Sequence, residues 1–125
     1  LGVKNTSQWS KDLDNKANKK FVQDFQKEYG RLPSLYASQG YDTGKLLISA
    51  LNVADVKDQD KFRSALKNAN FESTRGSFKF DTNQHPIQDI YVREVIKEGK
   101  ILTNKIISTG LKNRSNAYVK DCPLK

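Results

Sequence analysis

The sequence predicts an α/β fold in which three helices are followed by a β-hairpin. Up to about residue 70, apolar residues recur every three or four positions, as they do along one side of a helix. From Phe71 onward, apolar residues alternate with polar ones, which is typical of strands. With 125 residues, the chain is long enough for one domain with one core and too short for two.

The first helix is predicted to lie between Trp9 and Gly30, after a connector or strand end in residues 1–8. Gly30 is suited to a left-handed helix cap. Residues that favour turns and helix starts precede the helix: Asp12, Asp14 and Asn15. An apolar stripe follows at helical spacing: Ala17, Phe21, Val22, Phe25 and Tyr29.

The second and third helices are predicted over residues 34–54 and from Asp58 or Asp60 to about Ala69. The second begins after Pro33 and is the most apolar element. Its apolar residues cover more than one stripe, so we expect it to be buried on two sides: Tyr41, Leu46, Leu47, Ala50, Leu51 and Ala54. Asn70 is expected to end the third helix.

The first strand is predicted at Phe78–Phe80, after a bend at Gly76. Two longer strands are predicted over 87–97 and 101–109, joined by a hairpin turn over 98–100. Residues 111–125 have no evident period and are predicted to form a polar tail. In the long strand the side chains alternate, with Ile90, Val92 and Ile96 on one face and Tyr91, Arg93 and Val95 on the other. We therefore expect one partial domain over 1–125: a connector strand and three helices (1–70), a strand and hairpin (71–110), and the tail (111–125).

The charge is strongly basic but dispersed. The formal net charge is +8, yet the 22 lysines and arginines are scattered, and this favours a solvated surface or mild attraction for a small anion over a polyanion site. No apolar run approaches a membrane span, and residues 1–15 do not resemble a signal peptide. Because methionine is absent, we expect Leu1 not to be the natural start. Cys122 is alone, so it is free or pairs outside this chain.

The chemistry-bearing residues do not form an enzyme site. His85 is a single loop histidine, and Cys122 near the end of the chain gives no support for a dyad with it. Histidines and cysteines are not clustered at metal-ligand spacing, and Asp12 and Asp14 suit helix capping better than acid–base catalysis. Gly40 to Lys45 is one residue short of a phosphate loop. We expect no catalysis, cofactor or metal.

The segment 31–45 is unusual because its helix start carries a phenol, an amide and a carboxylate. Core packing explains Tyr41, and the helix dipole explains Asp42. This segment (RLPSLYASQGYDTGK), together with residues 71–83 (FESTRGSFKFDTN) and 86–96 (PIQDIYVREVI), resembles the type I periplasmic solute-binding proteins of ABC transporters. The motifs follow the order of that Leu/Ile/Val-binding family. The resemblance extends from about Leu1 to the C-terminus and is greatest to the branch that takes up aromatic acids.

The resemblance implies a two-lobed receptor with three crossover segments, of which this chain is the C-terminal third. The intact protein would be periplasmic, with an export signal upstream. It would close by hinge motion around a small carboxylate, such as an aromatic acid or a branched-chain amino acid, and deliver it to an ABC permease. Tyr36 falls where the family places an aromatic side chain against the ligand, and Gln39 is a second candidate contact. Because the other contacts come from earlier segments, we expect the fragment alone to bind ligand poorly. We also expect it to self-associate, because apolar helix faces that belong against the missing sheet would be exposed.

Two alternatives stay open. A basic nucleic-acid-binding module would use the Phe78–Phe80 strand beside Arg75 to stack bases. Ser77 follows Gly76, however, and a second RNA-binding strand motif is missing, so the two phenylalanines suit a core better and we expect no nucleic-acid partner. A purely structural interaction domain, without ligand function, has the same sequence features as the receptor fragment.

Overall fold

The computed structural model describes residues 1–123 as three α-helices and four β-strands, with a short 3-10 helix near the end. The helices are α1 (Lys16–Tyr29), α2 (Leu35–Leu51) and α3 (Gln59–Asn68), and the 3-10 helix is Val119–Asp121. The strands are β1 (Lys4–Ser7), β2 (Lys79–Phe80), β3 (Pro86–Glu98) and β4 (Ile101–Arg114). The predicted order of three helices followed by a hairpin is confirmed.

Three helix ends follow the predicted capping residues, whereas α3 ends at Ala69, with φ of 46°, and not at the predicted Asn70. Asn15 Oδ1 accepts a hydrogen bond from Asn18 N at the start of α1, and Gly30 ends that helix in the left-handed conformation with φ of 65°. Asp58 caps α3 by accepting from Lys61 N. The Lys61 side chain also bonds Asp58 and holds the pKa of its carboxyl below the ordinary value. Local sequence therefore fixes where α1 and α3 begin.

The sheet is built around β3, to which the other three strands pair antiparallel. β1 pairs with residues 91–94 of β3, and β2 pairs with residues 86 and 87. β4 pairs with β3 from Ile101 opposite Glu98 to Arg114 opposite Gln88. A two-residue turn joins β3 and β4, with positive φ at Gly99. Positive φ in such a turn gives the backbone twist that favours tight hairpins. The hairpin turn was predicted correctly.

β4 is longer than the sequence pattern indicated. It continues past Thr109 to Arg114, so residues 111–114 belong to a strand and not to a polar tail. The register shifts at three places along β3, and these irregularities interrupt the alternation that sequence reasoning relied on. At Gly110, a Cβ would lie 3.3 Å from Val92 Cγ2, so close strand packing favours glycine there.

The core is small and lies between α1, the start of α2 and one face of the β3–β4 hairpin. Trp9, Leu13 and Phe21 are buried at its centre. Partly buried side chains pack around them: Val22, Phe25, Leu35, Ala37, Tyr41, Tyr91 and Ile106. The start of α2 is thereby held against both the first helix and the hairpin.

The expectation that α2 is buried on two sides is wrong for this chain. Ala50 is fully buried, but Leu47, Ile48 and Leu51 are 43%, 58% and 53% exposed. No described element packs over that side of the helix, so its apolar residues face solvent. In addition, none of the helices within residues 1–123 has the length and apolar character needed to cross a membrane.

Candidate functional site

The two candidate ligand contacts lie at the start of α2. Ser34 caps this helix by accepting a hydrogen bond from Ala37 N at 3.3 Å. Tyr36 lies in the first turn and is 79% exposed, so its ring and hydroxyl face solvent. Gln39 lies one turn later and is partly buried. Tyr36 is therefore a large, accessible aromatic side chain on a capped helix.

Gln39 lines a cavity of about 340 Å³ that Tyr36 does not line. Three aromatic rings form part of its wall, with centroids 5.3 Å apart for Phe71 and Phe78 and 5.1 Å apart for Phe78 and Phe80. The Arg75 guanidinium lies 4.5 Å from the centroid of the Phe78 ring. These rings pack on one another, in agreement with the structural interpretation of the Phe78–Phe80 strand. The structure does not bring Tyr36 and Gln39 into one cavity.

Asp42 connects α2 to the segment 73–75. Its carboxylate is only 1% exposed and accepts hydrogen bonds from Ser73 Oγ at 2.6 Å and Thr74 N at 2.9 Å. It also forms an ion pair with Arg75 Nε at 3.1 Å. The interpretation of Asp42 as a helix-start residue is wrong, since it lies in the middle of α2 and points into this network.

The centroids of the Tyr41 and Phe21 rings lie 4.8 Å apart, so the predicted core role of Tyr41 is confirmed.

Two further contacts strengthen this connection. The hydroxyls of Ser38 and Thr74 are both buried and hydrogen-bond at 2.7 Å. Arg75 Nη1 donates to Gln88 Oε1 at 3.0 Å, which links the network to β3. The helix that carries Tyr36 is thus held by the segment 73–75, which is itself joined to β3. A ligand-contacting residue on such an element is well positioned.

A second cavity, of about 220 Å³, lies where the residues after β1, the start of α2 and β4 meet. Ser34 and Leu35, which directly precede Tyr36, form part of its wall. Its apolar lining includes Trp9, Pro33 and Leu35. Its polar lining consists of Ser10, Lys11, Ser34, Arg93, Thr103 and Asn104.

Arg93 is one of two charged residues that line this second cavity, with Lys11. Its Nε and Nη2 both donate to Asn5 Oδ1, at 2.9 and 2.7 Å, and Nη1 donates to the Trp9 carbonyl at 2.8 Å. Burial lowers the pKa of the Arg93 guanidinium from its ordinary value, while the charge of Asp12 acts in the opposite direction. Sequence reasoning placed Arg93 on the face of β3 that carries Tyr91 but gave it no role. The sequence signal that could have indicated a role for Arg93 is its position as a charged residue among apolar ones in a long strand.

His85 and Cys122 belong to no metal-binding cluster in the part of the chain that the structure describes. Within residues 1–123, acidic, histidine and cysteine side chains do not form a group of three that could hold a metal ion. His85 is exposed, with its Nδ1 3.4 Å from Asn116 Nδ2. Cys122 is a free, partly buried thiol.

Comparison with known proteins identifies one family. The family described as periplasmic binding protein matches residues 1–100. A solute-binding protein of an ABC transporter from R. palustris, solved with benzoate, superposes with a TM-score of 0.84 at 30% identity, covering 93% of this chain and 32% of its own.

Two further solved structures are similar to this chain over a comparable share of its length. A solute-binding protein from Rhodopseudomonas palustris BisB5 with 3,4-dihydroxybenzoic acid has a TM-score of 0.80 at 30% identity, covering 94% of this chain and 32% of its own. A substrate-binding protein from Desulfitobacterium hafniense, in complex with Leu, has a TM-score of 0.72 at 26% identity, covering 85% and 31%. This chain therefore spans about a third of each structure. The curated protein sequences gave no match.

Proposed function

Because this chain belongs to the periplasmic binding protein family, we propose that it forms the C-terminal third of an ABC-transporter receptor that binds a small carboxylate. The observation that carries the proposal is the family match over residues 1–100. The similarity in fold to a benzoate-bound solute-binding protein supports it. The receptor acts without a catalytic step, because its work is done by the difference in affinity between its open and closed states.

The proposed ligand is an aromatic acid or a branched-chain amino acid, bound between two lobes in the periplasm and passed to a membrane permease. The three similar structures hold benzoate, 3,4-dihydroxybenzoic acid and Leu, each of which carries a carboxylate. Tyr36 offers an exposed ring for stacking and a hydroxyl for hydrogen bonding. Gln39 is the second proposed contact. An export signal upstream of this sequence is part of the same proposal.

The nucleic-acid alternative has less support. Base stacking on the Phe78–Phe80 strand would need accessible ring faces. Arg75 lies over the Phe78 ring, and Phe71 and Phe80 pack at its sides. We therefore propose a receptor without a nucleic-acid partner.

Removing the Tyr36 ring is expected to weaken ligand binding by the two-lobed receptor. Tyr36→Ala should reduce the affinity for benzoate about 10- to 100-fold in titration calorimetry, which corresponds to the loss of about 1.5–3 kcal/mol from one buried aromatic contact. Tyr36→Phe should retain most of the affinity if stacking dominates. Gln39→Ala should have a smaller effect than Tyr36→Ala.

Tyr118→Ala is the matched control, since Tyr118 is 73% exposed and lies outside the helices. Its affinity for benzoate should equal that of the parent protein. Equal affinities for Tyr36→Ala and Tyr118→Ala would remove Tyr36 from the site. If the two-lobed receptor bound none of the aromatic acids or branched-chain amino acids, the proposed function itself would fail.

The chain of 125 residues alone is proposed to self-associate through the exposed side of α2. Light scattering should give a mass above 14.2 kDa, because Leu47, Ile48 and Leu51 form an uncovered apolar patch. The double change Leu47→Gln and Leu51→Gln should shift the mass toward the monomer. Leu102 and Leu111 are 64% and 50% exposed on β4, and their replacement by glutamine is the control. A monodisperse monomer of the parent chain would contradict this proposal.

A further inference from the structure

The Arg93 guanidinium lacks the partner that partly buried arginines usually have. All three of its hydrogen bonds go to neutral amide oxygens, of Asn5 and Trp9. A guanidinium has five N–H groups, so one N–H on each terminal nitrogen has no acceptor among the described residues. Two N–H groups on adjacent nitrogens suit a carboxylate, which can accept both.

A second arginine of the same chain shows the usual arrangement. The Arg75 side chain is 10% exposed, and its charge is balanced by the Asp42 carboxylate at 3.1 Å. Moving a cation out of water is costly unless an anion lies next to it. For Arg93, none of residues 1–123 supplies such an ion pair.

The acidic side chains closest to this region are already engaged elsewhere. Asp12 accepts from Ser10 Oγ at 2.5 Å and from Ile106 N at 3.0 Å. Glu98 forms an ion pair with Lys11 at 2.9 Å, so the other cation of the cavity is balanced. Asp12 interacts with Arg93 through charge without a hydrogen bond or ion pair, and it does not line the cavity. Of the two cations that line the cavity, Arg93 is therefore the one without an ion pair among the described residues.

The volume and lining of the cavity suit a small organic acid. Its volume of about 220 Å³ has room for about seven water molecules at ~30 Å³ each. Trp9, Pro33 and Leu35 provide an apolar wall, and the hydroxyls of Ser10 and Thr103 provide hydrogen-bonding groups. One charged group with an apolar wall favours a carboxylate that carries a hydrophobic tail.

We propose that the cavity around Arg93 is a binding site for a small carboxylate, built from residues of this chain alone and separate from the Tyr36 contact. The carboxylate bridges the two terminal nitrogens of Arg93, and its apolar tail lies against Trp9 and Leu35. The proposal does not depend on the proposed transport function, because it rests on residues of this chain that line the cavity.

The test is an NMR titration of the chain with benzoate, followed at the Arg93 Nε–H, the Trp9 indole N–H and the backbone amide of Thr103. Benzamide has the same shape without the charge, acetate has the charge without the ring, and chloride matches ionic strength. We expect saturable shifts at these three groups with a millimolar Kd for benzoate, at least 10-fold weaker binding of acetate, and no saturable shifts with benzamide or chloride.

Arg93→Gln should weaken benzoate binding at least 10-fold, and Arg93→Lys should weaken it less. Arg63→Gln, on the exposed surface of α3, is the control and should bind like the parent. If Arg93→Gln does not fold, the comparison of benzoate with benzamide on the parent chain still decides. Benzoate shifts that chloride or benzamide reproduces, or that spread over surface lysines, would overturn the proposal. So would the absence of saturable shifts. Neither result would bear on Tyr36 in the two-lobed receptor.

Discussion

Replacement of Asp42 by asparagine is expected to lower the free energy of unfolding by about 3–5 kcal/mol, the usual cost of removing one partner of a buried ion pair. The carboxylate is 1% exposed and accepts from Ser73, Thr74 and Arg75. An amide of the same size keeps one acceptor oxygen but turns an NH₂ group toward donors. Arg75, whose side chain is only 10% exposed, then loses its counter-charge.

Urea unfolding followed by circular dichroism measures this effect. At the slopes usual for small domains, the midpoint should fall by roughly 2 M. Asp24→Asn is the control, because Asp24 is also a mid-helix aspartate paired with a cation, Lys20, but is exposed. That change should cost less than about 1 kcal/mol. Arg75→Gln should be less harmful in the Asp42→Asn background than alone, since the two residues form one interaction. Coincident midpoints for Asp42→Asn and Asp24→Asn would contradict this account.

The second large effect is expected at Asn18, which is fully buried at the start of α1. Its Nδ2 donates to the carbonyls of Ser10, Lys11 and Leu13 at 3.2, 3.1 and 3.2 Å. Its Oδ1 accepts from the Trp9 indole N–H at 2.7 Å. Asn18→Asp keeps the size but replaces the donor with a charged oxygen that faces three carbonyl oxygens. We expect a loss of at least about 3 kcal/mol, and a larger loss than for Asn18→Ala, which adds no charge.

Trp9 is the only tryptophan in the sequence and is 3% exposed, so its fluorescence reports directly on this loop. Asn18→Asp should shift the emission to longer wavelength and lower the urea midpoint. Asn70→Asp, at an exposed position after α3, should change the free energy of unfolding by no more than about 0.5 kcal/mol. An Asn18→Asp variant as stable as Asn70→Asp would show that the network does not support the fold.

Features that depend on nearby residues were predictable from the sequence. Asn15, Gly30 and Asp58 end or begin helices through contacts within a few residues. The predictions for Asn15 and Gly30 were correct, and Asp58 is one of the two caps predicted for the third helix. The end of β4 was not predictable, because pairing with β3 and three register shifts determine it. The exposure of Leu47 was also not predictable, since the periodicity of α2 shows which sides are apolar but not what covers them.

The candidate sites follow the same division. Tyr36 was singled out by its resemblance to a family motif, and its exposure became visible only in the structure. The network of Asp42 joins residues 31–33 positions apart, and the contacts of Arg93 reach residues 84 and 88 positions away. Side-chain spacing cannot reveal such contacts. Composition did indicate a basic chain, but not which cation lacks a counter-charge.

The pairing of β1 with β3 has a consequence for how the chain folds. Asn5 and Arg93 are 88 positions apart, so β1 joins the sheet through long-range contacts, whereas β4 pairs with β3 across a local hairpin. The long-range pairing of β1 is slow to form, because a long loop must close before β1 and β3 stabilise each other. At a synthesis rate of about 5–20 residues per second, the first strand waits roughly 4–18 s for its partner to be made. The helices between them can form locally during that time, while β1 remains an unpaired edge that other chains can reach.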